Sequence, residues 1–403
     1  MIHSFSCKNF YSFRELTTLS FVVNDNAPQT HGYFNTSFYT RLSKVETVIG
    51  PNASGKTNLL KVLPFLKWMI IDSFNLKPDA NLPVQSFAFG GEKNSPIELS
   101  VVFEINKKIY TYSFVLAKGK VLSEDLKLTS MAKEKKSSKK IFSRNWDDST
   151  QQYNFEADNF DLPKGFEKSL RSNASVIGTA VRLNHQESQE VTKFWQQIET
   201  NVSEAGWIGD HLFPNTTLLL IEALHFYSAN ETLKKEAEKL LSRFDLGLDA
   251  FEIEKQQKEN ELSFNVRVAH TFNQQKQYLP LQYESSGTKQ LLLILKTILQ
   301  VLAKGGVTVL DEFDVNLHPD VVRSLFDLFL HPETNPHNAQ LLFSTHSHMI
   351  LSKLDKYQIV LVEKNENGIS ESWRLDEVAG VRVDDNYYSK YIAGAYGAIP
   401  KIY

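Results

Sequence analysis

The chain has 403 residues, 42% hydrophobic and 23% charged, with a formal net charge of −3. That is an ordinary globular composition with room for two or three domains, and the near-neutral balance gives no case for nonspecific nucleic-acid binding, local patches aside. The single cysteine, Cys7, excludes an internal disulfide and a cysteine-based metal site, and fits a reducing cytoplasm.

Met1–Phe5 shows neither the basic nor the apolar region of a signal peptide. The most apolar stretches, such as Leu63 to Ile71, are broken by Pro64 and Lys67, and none reaches the ~20 apolar residues of a membrane span. A cytoplasmic protein without a membrane partner is expected. Residues 4–10 alternate polar and apolar as a first strand, leading into Asn9-Phe10-Tyr11-Ser12-Phe13. Phe10 and Phe13 are readable as core or as adenine contacts.

Val45–Ile49 reads as a buried strand, and Gly50-Pro51-Asn52-Ala53-Ser54-Gly55-Lys56-Thr57 completes the phosphate-loop pattern G-x-x-x-x-G-K-[ST]. Gly50 and Gly55 let the backbone curl so that successive N–H groups point inward at phosphates. Lys56 places an ammonium on the β- and γ-phosphates, and Thr57 offers a hydroxyl to Mg²⁺. The helix opening at Asn58 lends its positive end to the anion. ATP and Mg²⁺ are therefore the expected cofactors, held by residues 50–58.

Residues 95–116 alternate with period two and read as antiparallel strands. From about 118 to 245 the character changes. Residues 133–144 hold a dense basic run, read as a solvated hairpin tip, with a nucleic-acid or partner contact as the sharper alternative. Helical segments follow at Gln189–Thr200 and Glu231–Phe244, and Glu222 with His225 makes a core or interface pair rather than a catalytic one. The expected domains are 1–117, 118–245 and 246–403, the middle one an insertion into a nucleotide-binding head.

Residues 284–290, Glu-Ser-Ser-Gly-Thr-Lys-Gln, form a small-residue turn opening an apolar helix that closes at Gly305-Gly306. Ser286 and Gly287 would supply a hydroxyl and backbone N–H groups to a second anion site, a helix N-cap being the plainer reading. Residues 306–312, Gly-Val-Thr-Val-Leu-Asp-Glu, read as a buried strand beside the phosphate loop, ending in an acidic pair. Asp311 would hold Mg²⁺, mostly through water, and Glu312 would polarise the attacking water as general base. Residues 341–346, Leu-Leu-Phe-Ser-Thr-His, form another apolar strand ending at His346.

Together these elements resemble ABC-type ATPases, whose signature Leu-Ser-Gly-Gly-Gln or -Glu aligns its first four positions with Ser285, Ser286, Gly287 and Thr288. Thr288 and Lys289 depart from that pattern and leave the Ser-Gly core intact. The resemblance implies an α/β head with a mixed core sheet and an antiparallel β lobe, carrying an inserted β-hairpin and helical subdomain. It makes His346, in preference to His348, the switch histidine that contacts the γ-phosphate. It reads the Asp314–Pro319 stretch, with His318, as a dimer-contact loop, and offers Gln85 as a candidate for the glutamine that reports on Mg²⁺. It implies a head-to-tail homodimer, or a higher homo-oligomer, sandwiching two ATP molecules.

The Asn-Phe-x-Ser-Phe turn resembles RecF-, SMC- and OLD-type ATPases. The ending, Tyr391 to Pro400, resembles stand-alone bacterial ATPases linked to abortive infection. A TOPRIM nuclease domain is not expected, because 57 residues after His346 are too few. The resemblance implies an ATP-hydrolysing regulatory subunit of an anti-phage defence system that controls a separate nuclease or toxin effector, with DNA or a phage component left open as a further partner. The alternative is a RecF-like DNA repair ATPase. A transporter ATPase and a sensing scaffold without turnover fit the signature variant and the intact Glu312 less well.

Overall fold

The computed structural model describes residues 1–400 apart from 79, 91–94, 118, 133–134, 159, 203–215, 245–246 and 259–260. Its centre is a six-stranded sheet in the order Ile198–Thr200, Val307–Leu310, Gln340–Ser344, Val45–Ile49, Ile359–Lys364, Ser370–Arg374. The first five strands are parallel and the last is antiparallel. Both faces are covered, so the strands read as near-continuous apolar runs. Alternate side chains go to opposite cores. Val48, Leu342, Val307, Val309, Val360 and Val362 join one core, while Ile49, Leu341, Phe343, Ile359 and Leu361 join the other.

The sequence reading puts the acidic strand beside the phosphate-loop strand, and the structure corrects this. Gln340–Ser344 lies between them, paired in parallel with both. A parallel neighbour is reached only by a crossover, here through the helix Pro319–Leu330. Local pattern marks each strand but carries no information about which one the crossover inserts at the centre.

On one side lies a seven-stranded antiparallel sheet in the order Gln152–Ala157, Lys135–Asp147, Lys120–Ala132, Lys108–Ala117, Ile97–Ile105, Ile2–Lys8, Thr17–Ser20. The helix Val62–Ile71 packs between it and the core sheet, its apolar residues buried almost all round. The sheet runs on from Ala117 to Lys120, so the basic hairpin extends this lobe's own sheet. Residues 118, 245 and 246, at the expected domain boundaries, and Lys133 and Glu134 of the basic run lie outside the described residues. Phe10 and Phe13 are fully buried, which makes them core rather than adenine contacts. Cys7 is buried too, and burial pushes its thiol up to about 12.

On the other side, the long helix Ser286–Lys304 packs against Thr216–Ala229, Glu231–Arg243 and the acidic strand. A three-stranded sheet, Ala250–Lys258, Glu261–Phe272 and Gln275–Pro280, precedes it. The helix expected over Gln189–Thr200 is corrected: a helix occupies Gln186–Trp195, and Ile198–Thr200 is the edge strand of the core sheet. Pairing of Ile198 with Val307 and Thr200 with Val309 decides this, a tertiary contact that overrides local helical pattern. No helix of the described residues is long and apolar enough to cross a membrane.

Candidate active site

The phosphate loop leaves the strand Val45–Ile49 and enters the helix Lys56–Leu60. A Cβ at position 50 would sit 2.0 Å from the Val362 carbonyl oxygen, so the neighbouring strand's backbone admits only glycine there. Gly55, with φ 115°, caps the helix in a conformation that side chains rarely adopt, and Ala53 is also left-handed at φ 61°. These turns aim the loop as a concave shell. Ser370 pins its far side, with Oγ 2.6 Å from the Ser54 carbonyl oxygen and 2.7 Å from Ser12 Oγ. Asn58 Nδ2 donates to Ser12 Oγ at 2.8 Å, tying the helix to the turn that holds Phe10 and Phe13.

Lys56 Nζ donates to the carbonyl oxygens of Gly50 and Pro51, each at 2.9 Å. An ammonium has three N–H donors, so these neutral acceptors leave one for an anion. Burial pulls the Lys56 ammonium below its ordinary value, opposed by Asp311, Glu312 and Asp314. The charge that would meet phosphate therefore already sits in the field of three carboxylates.

The acidic pair lies at the C-terminal end of Val307–Leu310, as ligand sites do in open parallel sheets. Thr57 Oγ1 donates to Asp311 Oδ2 at 2.7 Å, and Ser344 Oγ donates to Asp311 Oδ1. Hydroxyl and carboxylate oxygens suit a hard cation such as Mg²⁺ and offer no soft ligand. Among the described residues no group of three or more His, Cys, Asp or Glu is placed to hold a metal. Asn201 clamps the Asp311 backbone from both sides, accepting from its N–H at 2.7 Å and donating to its carbonyl at 2.9 Å.

Glu312 has φ 49°, a left-handed conformation costing about 1–3 kcal/mol for such a residue. Its N–H donates to Ser344 Oγ at 2.8 Å and the Phe313 N–H to the Ser344 carbonyl at 3.0 Å, which holds the strained turn in place. The turn points the Glu312 carboxylate outward, 3.7 Å from His346 Nε2. Both side chains are partly solvent-exposed. The His346 N–H donates to Asp314 Oδ1 at 3.2 Å.

Thus residues 50–58, Asp311, Glu312 and His346 meet at one end of the core sheet. Ser285 caps the long helix, its Oγ accepting from the Thr288 N–H at 3.0 Å, and leaves Ser286 exposed. A Cβ on Gly287 would lie 2.6 Å from the Asn316 carbonyl oxygen, so the signature turn packs directly on the loop after Glu312. His318 Nδ1 accepts from the Asp320 N–H and caps the next helix. Gln85 sits beside the 9–14 turn, where its carbonyl accepts from the Tyr11 N–H at 3.0 Å.

Sequence reasoning missed Ser344, Asn201, Ser12 and Ser370 as parts of the site, and read Asp314 only as part of an interface loop. Ser344 had a usable signal, two residues before His346 at a strand end. Asn201 and Ser370 had none, because nothing local shows that Ile198–Thr200 pairs with the acidic strand or that Ser370 reaches the Ser54 carbonyl.

Residues 47–352 match the family described as "AAA domain, putative AbiEii toxin, Type IV TA system". No curated protein matches the chain. Among solved structures, an SMC head bound to the C-winged helix domain of ScpA aligns with a TM-score of 0.52 at 12% identity, over 94% of this chain and 99% of that one. An SMC head domain from Thermotoga maritima gives 0.44 at 15% identity, over 93% and 98%. The first of these shows the shared fold, that of an ABC-type P-loop ATPase head.

Proposed function

This chain belongs to the AAA-domain family named for the AbiEii toxin, and from that premise we propose that it is a Mg²⁺-dependent ATPase whose nucleotide state regulates a separate nuclease or toxin. One observation supports the ATPase part: Thr57 Oγ1 donates to Asp311 Oδ2 at 2.7 Å and Glu312 lies 3.7 Å from His346 Nε2, at the sheet end that carries residues 50–58.

Residues 50–58 bind the triphosphate, with Lys56 neutralising the terminal phosphates and the loop N–H groups holding their oxygens. Thr57 and Asp311 would hold Mg²⁺, which would supply neutralisation of the phosphate charge. Glu312 accepts a proton from the attacking water as its oxygen bonds to the γ-phosphorus, and the bond to the ADP oxygen breaks. His346, within reach of Glu312, orients that water and the γ-phosphate. The exposed Ser286 and the Gly287 N–H of one copy cover the nucleotide of another, giving an ATP-dependent homodimer. The family description, naming a toxin and a Type IV TA system, supports the defence setting.

The test is ATP hydrolysis by purified protein beside Glu312→Gln, with and without DNA, followed by capture of partners on the variant. Hydrolysis lost in the variant and a nuclease- or toxin-like protein retained on it support the reading. Strong stimulation by DNA with no dedicated partner protein supports a RecF-like role instead.

A further inference from the structure

The stretch from Tyr387 to Pro400 takes no part in the site described above, yet it is anchored at two points, one just after His346 and one beside the phosphate loop. The first anchor is on the switch segment. His346 is followed by Ser347 and a short 3-10 turn, His348–Ser352, against which the helix Tyr387–Ile392 packs. The His348 ring lies 4.9 Å from the Tyr391 ring, tilted by 55°. Tyr391 is almost fully buried, and Ile350 and Leu351 of the same turn share its core.

The second anchor is on the strand beside the phosphate loop. The Ala398 N–H donates to Glu363 Oε2 at 2.9 Å. Glu363 follows Val362, whose carbonyl abuts Gly50. Tyr391 links the two anchors, because its hydroxyl donates to the Ala398 carbonyl at 2.7 Å while its ring meets His348.

By contrast, the switch segment is held only loosely to the core sheet and the loop after Glu312, although within it the Ser347 N–H donates to Thr345 Oγ1 at 2.9 Å. The Thr345 N–H reaches the Val48 carbonyl only at 3.4 Å, and the His346 N–H reaches Asp314 at 3.2 Å. Both bonds are longer than the usual amide hydrogen bond. His346 itself is exposed, with its ring near Glu312. A side chain so lightly held needs a buried neighbour to define its place, and the ring pair two residues on is such a neighbour.

We propose that the segment from Tyr387 to Pro400 is a strap that positions the switch segment, with Tyr391 the positioning residue: its ring sets His348, and through the intervening turn sets His346 relative to Glu312. Tyr391 is almost fully buried, away from solvent. Its effect falls on the chemical step, through His348, while the far side of the phosphate loop is held by Ser370 and Ser12, which the strap does not touch. The strap also connects the γ-phosphate contact to an outer surface, where Ile392 and Met349 are exposed.

The inference rests on the hydrolysis reading above, and the test separates the two. Full-length Tyr391→Leu, His348→Ala, His348→Phe and Glu312→Gln are assayed for kcat, KM for ATP and affinity for a non-hydrolysable ATP analogue. Tyr391→Leu and His348→Ala are expected to lower kcat about tenfold or more, as small misplacements of catalytic groups do. KM and analogue affinity should stay within about twofold, and His348→Phe, which keeps a ring on Tyr391, should recover most of the rate. Wild-type kcat in Tyr391→Leu overturns the strap. Should that variant not fold, equal rates in His348→Ala and His348→Phe overturn it. Undiminished hydrolysis in Glu312→Gln instead removes the site assignment itself, and the strap's catalytic role with it.

Discussion

Thr57 and Asp311, 254 positions apart in the chain, share a 2.7 Å hydrogen bond from Oγ1 to Oδ2. The helix after the phosphate loop and the turn after the acidic strand are thereby joined at the point where a metal-bound triphosphate would sit. Thr57→Val removes the hydroxyl and keeps the shape. It should cost no more than about 1.5–3 kcal/mol of stability without nucleotide, the range for a hydrogen bond to a charged group. It should raise the Mg²⁺ concentration needed for hydrolysis, read by titrating Mg²⁺ at fixed ATP. An unchanged Mg²⁺ requirement would remove Thr57 from the metal site.

Lys56 is already desolvated, with two carbonyl partners and one donor to spare. Lys56→Ala deletes a charge-assisted contact of about 1.5–3 kcal/mol, so ATP affinity should fall roughly 10- to 150-fold in a calorimetric titration. Affinity within twofold of wild type would place the phosphates elsewhere.

Glu312→Gln keeps the side-chain volume and the Ser344 bond to its backbone but removes the base. Hydrolysis should fall by roughly 10²- to 10⁴-fold while ATP still binds. The trapped state should appear as an ATP-dependent dimer by light scattering.

Ser286 is exposed at the tip of its helix, so Ser286→Arg should leave the fold and monomer ATP binding intact and abolish that ATP-dependent dimer. Gly287→Ala differs in kind. Its Cβ would meet the Asn316 carbonyl at 2.6 Å, and it should destabilise the protein by about 1–3 kcal/mol, the usual cost of overpacking. Equal melting temperatures for Gly287→Ala and wild type would show that the loop yields freely.

Glu46, fully buried on the phosphate-loop strand, has its carboxyl pushed well above the usual carboxylate range by burial, against the opposing pull of Arg374. The folded protein therefore holds this proton more tightly than the unfolded chain does. Between the ordinary value of 4.5 and the raised one, the native state binds more protons, so stability falls as pH rises. Glu46→Gln should reduce the loss of melting temperature between about pH 5 and pH 8. Parallel pH profiles for the two proteins would contradict the raised value.

The chemistry was largely legible locally. Gly50, Gly55, Lys56 and Thr57 announce a phosphate loop because backbone curvature, charge and hydroxyl must occur at fixed spacing on one turn. Asp311-Glu312 and His346 were recognisable because each ends an apolar strand, where a parallel sheet presents its ligands. The signature helix was bounded by its own Ser285 cap and closing glycines.

Order in the sheet was not legible. That Gln340–Ser344 lies between the other two site strands, and that Ile198–Thr200 pairs at the edge and delivers Asn201 to Asp311, depends on crossovers between distant segments. The same holds for Phe10 and Phe13, whose aromatic character suits a nucleotide or a core equally until burial decides. The sequence by itself marked the candidate groups of the nucleotide site, since a motif's spacing is a local geometric requirement. Only the tertiary structure decided which strands are neighbours, what lies behind His346 and where Ser370 and Tyr391 press, because those contacts join residues far apart in the chain and leave no periodic or compositional mark on either one.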